Sequence, residues 1–214
     1  MLQRFFKTGP GEYGEGDVFV GVKVPPLRAL AKQHRDLPIE QIDELLSSPV
    51  HEHRMEGLII LTERARRADT VLGRELCDFY LARTQRVNNW DLVDVSCRDV
   101  VGGHLLAVGD HSPLKCLARS ELIWDRRIAM VSTWAFIRAN QLTPTFELAA
   151  LLVDDSEDLI HKAIGWMLRE AGKRDETALE AFLGVYASRM PRTALRYSIE
   201  RMSPERRAYW RARK

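Results

Sequence analysis

The chain shows its fold class most plainly in residues 48–68, which read SPVHEHRMEGLIILTERARRA. Ser48 is a residue type that caps helices, and Pro49 suits a helix's first turn, where no N–H is needed. Beyond them the apolar residues recur three and four positions apart, which places them on one face of an α-helix. Elsewhere in the sequence from Pro25 onward, the apolar residues show the same helical spacing. They almost nowhere alternate with polar residues as they would in a strand. The sequence therefore predicts an all-α protein without a parallel sheet.

Twelve helices are expected from this periodicity, at about 25–35, 38–47, 49–68, 69–87, 89–107, 112–120, 121–139, 144–153, 156–174, 176–190, 191–201 and 203–213. Their start signals are prolines and capping side chains. The prolines are Pro25, Pro38, Pro49, Pro113, Pro144 and Pro204, and the caps are Ser48, Ser112, Thr143 and Ser203.

Paired helices indicate a repeat architecture. Those starting near 38, 69, 112, 144 and 176 repeat at roughly 31–43 residues, the period of two-helix units such as HEAT repeats. Each hairpin must cover its apolar face with the next, which leaves a concave side for binding. We expect a right-handed α-α superhelix of HEAT-like repeats in one domain, 1–214, with a helix remnant and Gly-rich loop at 1–24 and repeats at 25–214. A plain globular helix bundle is the alternative.

Composition narrows the class of protein. At 214 residues with 45% hydrophobic and 29% charged side chains, the chain is typical of a soluble globular domain rather than a disordered one. Its longest apolar stretches fall far below the roughly 18 residues that span a bilayer, so no membrane segment is expected. Three cysteines without CxxC spacing and an N-terminus without a signal-peptide core predict the reducing cytoplasm.

Charge is distributed unevenly. Residues 189–214 carry +7 and the remainder −5, within a net charge of +2. Surface cations attract phosphates and release counterions, so this end indicates a polyanionic partner such as nucleic acid. A solvated helical tail is the alternative interpretation.

Several tempting motifs predict no chemistry. His51 and His53 lie on nearly opposite helical faces and do not form a zinc pair. The Gly-rich segment 7–17 lacks the following Gly-Lys-Ser/Thr of a phosphate-binding loop. Cysteine and serine residues without a neighbouring base or ligand are interpreted as structural, and the cysteines are expected to fill core volume. They are Cys77, Cys97, Cys116, Ser96 and Ser132. No metal or cofactor is expected.

The most informative stretch is Asn89-Trp90-Asp91-Leu92-Val93-Asp94. Asn89 can cap a helix, and Asp91 in the first turn suits the helix dipole. Trp90 and Asp94, four apart, share a face that is otherwise apolar, and a buried carboxylate must be paired or used. Spacing alone leaves open a structural carboxylate, bridging Arg98 for example, or a functional one.

Two further stretches hold candidate residues. Trp166 and Arg169 are three apart on one face, and Gly165 beside them permits a close approach. The structural alternative makes Trp166 a core anchor and pairs Arg169 with Glu170 or Asp158. The second stretch contains two arginines, Arg126 and Arg127. Adjacent arginines cannot share a face, so at least one is available for a phosphate or a carboxylate.

Five ordered motifs resemble the AlkD family of DNA alkylation repair glycosylases over essentially the whole chain. They are Phe5-Phe6-Lys7-Thr8-Gly9-Pro10-Gly11-Glu12-Tyr13-Gly14-Glu15-Gly16-Asp17, Gly21-Val22-Lys23-Val24-Pro25, Asn89-Trp90-Asp91-Leu92-Val93-Asp94, Trp124-Asp125-Arg126-Arg127-Ile128-Ala129 and Lys162-Ala163-Ile164-Gly165-Trp166-Met167-Leu168-Arg169-Glu170. Relative to this family the N-terminal helix, with Leu2, Phe5 and Phe6, looks shortened.

The resemblance implies a monomeric enzyme whose concave face holds duplex DNA. It would hydrolyse the N-glycosidic bond of cationic alkylated purines such as 3-methyladenine and 7-methylguanine, leaving an abasic site. The resemblance makes Asp94, Trp90 and Trp166 the catalytic residues and Arg127 and Arg169 DNA-binding ones. Arg126 and Lys162, in the same motifs, are further DNA-binding candidates.

Relatives that lack these Trp and Asp residues are expected not to excise bases, whereas here all three are present. The alternative is a catalytically silent HEAT-like protein that binds DNA or a protein partner.

Overall fold

The computed structural model describes residues 6–213, which are mainly helical from Val24 onward, as predicted. The helices are α1 (Val24–Gln33), α2 (Ile39–Leu46), α3 (His51–Ala65), α4 (Thr70–Leu81), α5 (Trp90–Cys97), α6 (Gly103–Val108), α7 (Ser112–Leu117), α8 (Ile123–Arg138), α9 (Thr143–Leu151), α10 (Asp158–Gly172), α11 (Glu176–Tyr186), α12 (Arg192–Ser198) and α13 (Pro204–Ala212). The only β pairing in this range is an isolated bridge between Val18 and Val50. The all-α class is confirmed, and the helix pairs are consistent with a helical-repeat solenoid.

Two predicted helices are interrupted. The segment predicted at 69–87 ends as α4 and continues in a 3-10 turn, Thr84–Arg86. The segment predicted at 89–107 consists of α5, a π-helical turn at Arg98–Gly102 and α6. Such π turns insert a residue into a helix and occur often beside functional sites.

Only some of the predicted helix caps are confirmed. Ser203 accepts a hydrogen bond from the N–H of Arg206 at 3.3 Å and caps α13. Ser112 and Thr143 are instead the first residues of their helices, and the helix predicted from Pro49 begins at His51. Proline in the second position already removes an unpaired N–H there, so the cap matters less.

The chain divides into two compact units, with the boundary between Val108 and Gly109. The single repeat domain 1–214 and its superhelical handedness stay predictions. The helix remnant predicted around Leu2 and Phe5 lies outside the described residues. None of the described helices combines the length and the apolar composition that a membrane span requires.

The first unit is built around α3, which packs against α1, α2 and α5. Its centre is a run of fully buried side chains, Leu58, Ile59, Ile60 and Leu61. The Gly-rich segment before α1 forms hydrogen-bonded turns, in which the N–H of Gly14 donates to the carbonyl of Lys7 at 2.8 Å. These turns bring the buried Asp17 against α3.

The second unit is built around α10, which packs against α8, α9, α11 and α12. Gly165 lies where α10 meets α12. A Cβ at Gly165 would lie 2.5 Å from Cβ of Tyr197 and 2.6 Å from the carbonyl oxygen of Ala194. The close approach predicted at this glycine is therefore confirmed, and helix α12 is what approaches.

Candidate functional site

Trp90 and Asp94 occupy the first and fifth positions of α5. The side chain of Asn89 accepts a hydrogen bond from the N–H of Trp90 at 2.8 Å, so the predicted cap is confirmed. Asp91, in the first turn, accepts one from the N–H of Leu92 at 2.8 Å. Trp90 and Asp94 are both partly exposed, one helical turn apart. The sequence motif thus places an aromatic ring and a carboxylate side by side at the accessible start of a helix.

The rest of this helix is anchored in the core. Val93 and Cys97 are fully buried. The hydroxyl of Tyr80, also buried, lies 3.0 Å from Oγ of Ser96. Burial above all raises the pKa of the Tyr80 phenol, and the negative charge of Asp94 adds to the effect. Tyr80 therefore stays protonated at neutral pH and supports the helix rather than acting as a base.

A buried cluster of charges fixes the N-terminus of α5. Nδ1 of His51 lies 3.2 Å from Oδ2 of Asp17, and its Nε2 lies 2.9 Å from Oδ2 of Asp91. Arg54 donates to Asp17 at 2.5 Å, and the side-chain amide of Asn89 donates to Asp17 at 3.3 Å. The Gly-rich loop, α3 and the first turn of α5 are thereby joined.

The imidazole at the centre of this cluster is cationic at neutral pH. Burial alone lowers the pKa of His51, but hydrogen bonds to Asp17 and Asp91 outweigh it and raise the pKa to about 9. Burial raises the pKa of the Asp17 carboxyl, yet hydrogen bonding to His51 and the charge of Arg54 hold it below its usual value. Both nitrogens of the imidazolium donate, and each reaches a carboxylate.

Replacing His51 with Gln should remove a pH dependence from the unfolding free energy. A pKa raised above its usual 6.5 to about 9 gives stability that is complete below pH 6.5 and is lost as the pH rises through 9. For the wild type we expect a loss of about 3 kcal/mol across this window. Urea unfolding at pH 6 and pH 9.5 measures it. A variant that loses as much stability across the window as the wild type would contradict the assignment to His51.

Aromatic rings cover this charge cluster on one side. The ring of Phe19 stacks on His51 at 4.5 Å between centroids, and Phe6 stacks on Trp90 at 5.6 Å. Together with residues 22–25 they line a mainly apolar pocket of about 460 Å³. The first sequence motif contains Phe6, whereas Phe19 lies between the first two motifs. Their contacts with Trp90 and His51 join residues far apart in the chain and were not predicted.

Trp166 lies in the second unit, on α10. Its ring packs edge-to-face against Trp134 of α8, with centroids 5.0 Å apart and planes at 66°. Arg169, one turn further along, forms ion pairs with Glu170 at 3.4 Å and with Glu200 near the end of α12. The pairing with Glu170 confirms the structural alternative for this arginine. Trp166 is partly exposed and so retains accessible ring surface.

The other predicted basic residues also have partners within the protein. Lys162 pairs with Asp158 at 2.8 Å, one helical turn away. Arg126 pairs with Asp155 at 2.7 Å, so the prediction that one of the adjacent arginines binds a carboxylate is confirmed. Arg127 is only 4% exposed and donates to the carbonyl of Leu159 at 2.6 Å. Their contact with DNA phosphates stays a prediction.

Of the remaining interpretations, those of the histidines and of two cysteines are confirmed, and that of the third cysteine is wrong. His51 is buried and His53 exposed, in line with the opposite helical faces predicted for them. Cys77 and Cys97 fill core volume as expected, whereas Cys116 is exposed on α7 and the core interpretation is wrong for it. Its helix is short and presents that position to solvent.

Solved structures resemble this fold at low sequence identity. A predicted DNA alkylation repair enzyme from Enterococcus faecalis matches with a TM-score of 0.68 and 18% identity, over 90% of this chain and 92% of that one. The smu.31 protein of Streptococcus mutans UA159 matches with a TM-score of 0.56 and 16% identity, over 76% of this chain and 84% of that one. No curated protein matches the sequence. The model of the DNA alkylation repair enzyme family matches residues 1–202, and the chain belongs to that family.

Proposed function

We propose that the protein is a monofunctional DNA glycosylase that hydrolyses the N-glycosidic bond of cationic alkylated purines in duplex DNA. The observation that supports this most is the pairing of Trp90 and Asp94 at the accessible start of α5, in a chain of the DNA alkylation repair enzyme family. The substrates are purines such as 3-methyladenine and 7-methylguanine, and the product is an abasic site, the first step of base excision repair. The resemblance to the AlkD family supplies the substrate class.

Asp94 is the proposed catalytic carboxylate. A cationic base leaves as a neutral molecule, so the reaction needs no general acid. The larger barrier is the positive charge that develops on the sugar, and an anionic carboxylate placed beside it stabilises that charge directly. The same carboxylate can orient the attacking water, as carboxylates do in glycoside hydrolysis.

Trp90 and Trp166 are the proposed aromatic residues of the site. Their electron-rich faces suit contact with deoxyribose and with positive charge developing on it. In this structure Trp90 is held by Phe6 and Trp166 by Trp134. Rings fixed by neighbouring rings lose little conformational freedom when DNA binds.

Duplex DNA is the proposed partner, bound by a monomer on the concave face of HEAT-like repeats. Arg127, Arg169, Arg126 and Lys162 are the proposed contacts to the backbone. The partner of Lys162 and one of the two partners of Arg169 are exposed carboxylates, so a phosphate could compete with these carboxylates at modest cost. We place the protein in the cytoplasm, associated with the nucleoid when bound to DNA.

A comparison of cationic and neutral lesions tests the substrate class. In this mechanism no closed pocket encloses the base. Selectivity for the damaged base comes from its positive charge and from the lability of its N-glycosidic bond. We expect release of 7-methylguanine and 3-methyladenine from methylated duplex DNA, and no release of uracil from a duplex of the same sequence. Chromatography of the freed bases measures both. Efficient uracil removal would contradict the mechanism.

A further inference from the structure

A pocket lined by arginines lies in the second unit. Arg192 and Arg196 from α12 and Arg211 from α13 surround it, together with Thr193 and Leu195. Its volume is about 190 Å³. All three arginines are exposed, so their guanidinium groups are accessible from solvent.

These three arginines form no ion pair within the described part of the chain, unlike several of their neighbours. Arg189 pairs with Asp154, and Arg206 pairs with Glu180. The pocket therefore brings together three arginines of this region that have no carboxylate partner among the described residues. Like charges held together repel each other, and a bound anion relieves that repulsion.

The pocket is also partly preorganised. Nη2 of Arg192 donates to the backbone carbonyl of Arg211 at 3.0 Å, which ties α12 to α13. The guanidinium of Arg196 lies over the ring of Tyr197 at 5.7 Å. Arginines present several N–H donors in a planar fork that matches phosphate oxygens, and restraining the fork reduces the entropy lost on binding.

The position of α12 connects this pocket to the helix of Trp166. Helix α12 packs on α10 at Gly165, the residue next to Trp166. Arg211, by contrast, lies beyond residue 202, where the family match ends. The pocket is thus completed by a helix that lies outside the residues matched by the family model.

We propose that the pocket of Arg192, Arg196 and Arg211 binds a backbone phosphate of DNA, independently of any lesion. The inference rests on the proposed function to the extent that DNA is the polyanion. An open, strongly cationic pocket is suited to a phosphate on a continuous chain, where many charges contribute to attraction and counterion release. A free phosphate or nucleotide has the same chemistry, and the experiment distinguishes the two sources.

Binding of undamaged duplex DNA to the full chain, measured by fluorescence anisotropy at several salt concentrations, provides the test. The variant is Arg196→Gln with Arg211→Gln. The matched control is Arg189→Gln with Arg206→Gln, which removes the same charge from the same end of the chain. We expect the first variant to lose about tenfold in affinity at low salt and to lower the salt slope by about 1–2. The control should change affinity by less than about twofold.

Further measurements separate the possible outcomes. Arg196→Lys with Arg211→Lys keeps the charge and should retain the salt slope, and circular dichroism verifies that all variants fold. If the Gln variant and the wild type had equal DNA affinity and equal salt slope, phosphate binding at this pocket would be contradicted. The proposed function would be unaffected. Binding of inorganic phosphate or a mononucleotide at the pocket, with DNA affinity unchanged by the Gln variant, would also contradict the binding of a DNA phosphate there. If the wild type did not bind DNA at low salt, both the phosphate site and the proposed function would be contradicted.

Discussion

Replacing Asp94 with Asn is expected to lower the single-turnover rate of 7-methylguanine release by at least about 100-fold. The amide has nearly the same shape but no negative charge, so it cannot stabilise positive charge developing on the sugar. Affinity for duplex DNA should stay within about twofold, because backbone contacts are made by cations elsewhere. Loss of rate with retained binding is the signature of a group that acts in the transition state.

A matched control excludes a general effect of removing a carboxylate from this unit. Asp78→Asn changes an exposed carboxylate on the neighbouring helix α4 and should leave both rate and affinity unchanged. If Asp94→Asn released the base as fast as the wild type, Asp94 would have no catalytic role. If it lost DNA binding and excision together, its role would be structural.

Replacing Glu56 with Gln should stabilise the protein at alkaline pH. Glu56 is only 7% exposed, and in the described structure neither of its carboxylate oxygens has a hydrogen-bond partner. Burial raises the pKa of this carboxyl from 4.5 to about 7. A raised pKa means that the folded state favours the protonated form. Stability is complete below pH 4.5 and falls as the pH rises through 7.

The expected gain for Glu56→Gln is about 2–3 kcal/mol at pH 8, disappearing near pH 4. The Gln amide resembles the protonated carboxyl, so the variant removes only the cost of ionising a buried acid. Urea unfolding at pH 4 and pH 8 gives the difference, with the exposed Glu75→Gln as a control that should change little. A destabilised variant at pH 8 would show that the ionised carboxylate has a partner in solution.

The helices could be predicted from sequence because the signals that form them are local. Periodicity located α3, α8 and α10, and the Asn89 cap fixed the start of α5 at Trp90. Long-range partners could not be predicted. His51 reaches carboxylates 34 and 40 residues away, which no spacing rule connects. The same holds for the pairing of Arg169 with Glu200, 31 residues further along.

In the candidate site, too, the features set by local spacing could be predicted, and those set by packing between helices could not. The helical spacing placed Trp90 beside Asp94, and the structure agrees. Their proposed chemistry came from the ordered motifs rather than from spacing, which left a paired structural carboxylate open. The arginine pocket had a sequence signal in the excess charge of residues 189–214. Which of those arginines lack a carboxylate depends on how α12 and α13 pack.

Release of free 7-methylguanine from methylated duplex DNA by the purified wild-type protein tests the central claim most directly. Under single-turnover conditions we expect the base to appear faster than in buffer, with abasic sites formed in equal amount and Asp94→Asn near background. No release by the wild type, with DNA still bound at low salt, would contradict the glycosylase. The chain would then be a catalytically silent DNA-binding protein.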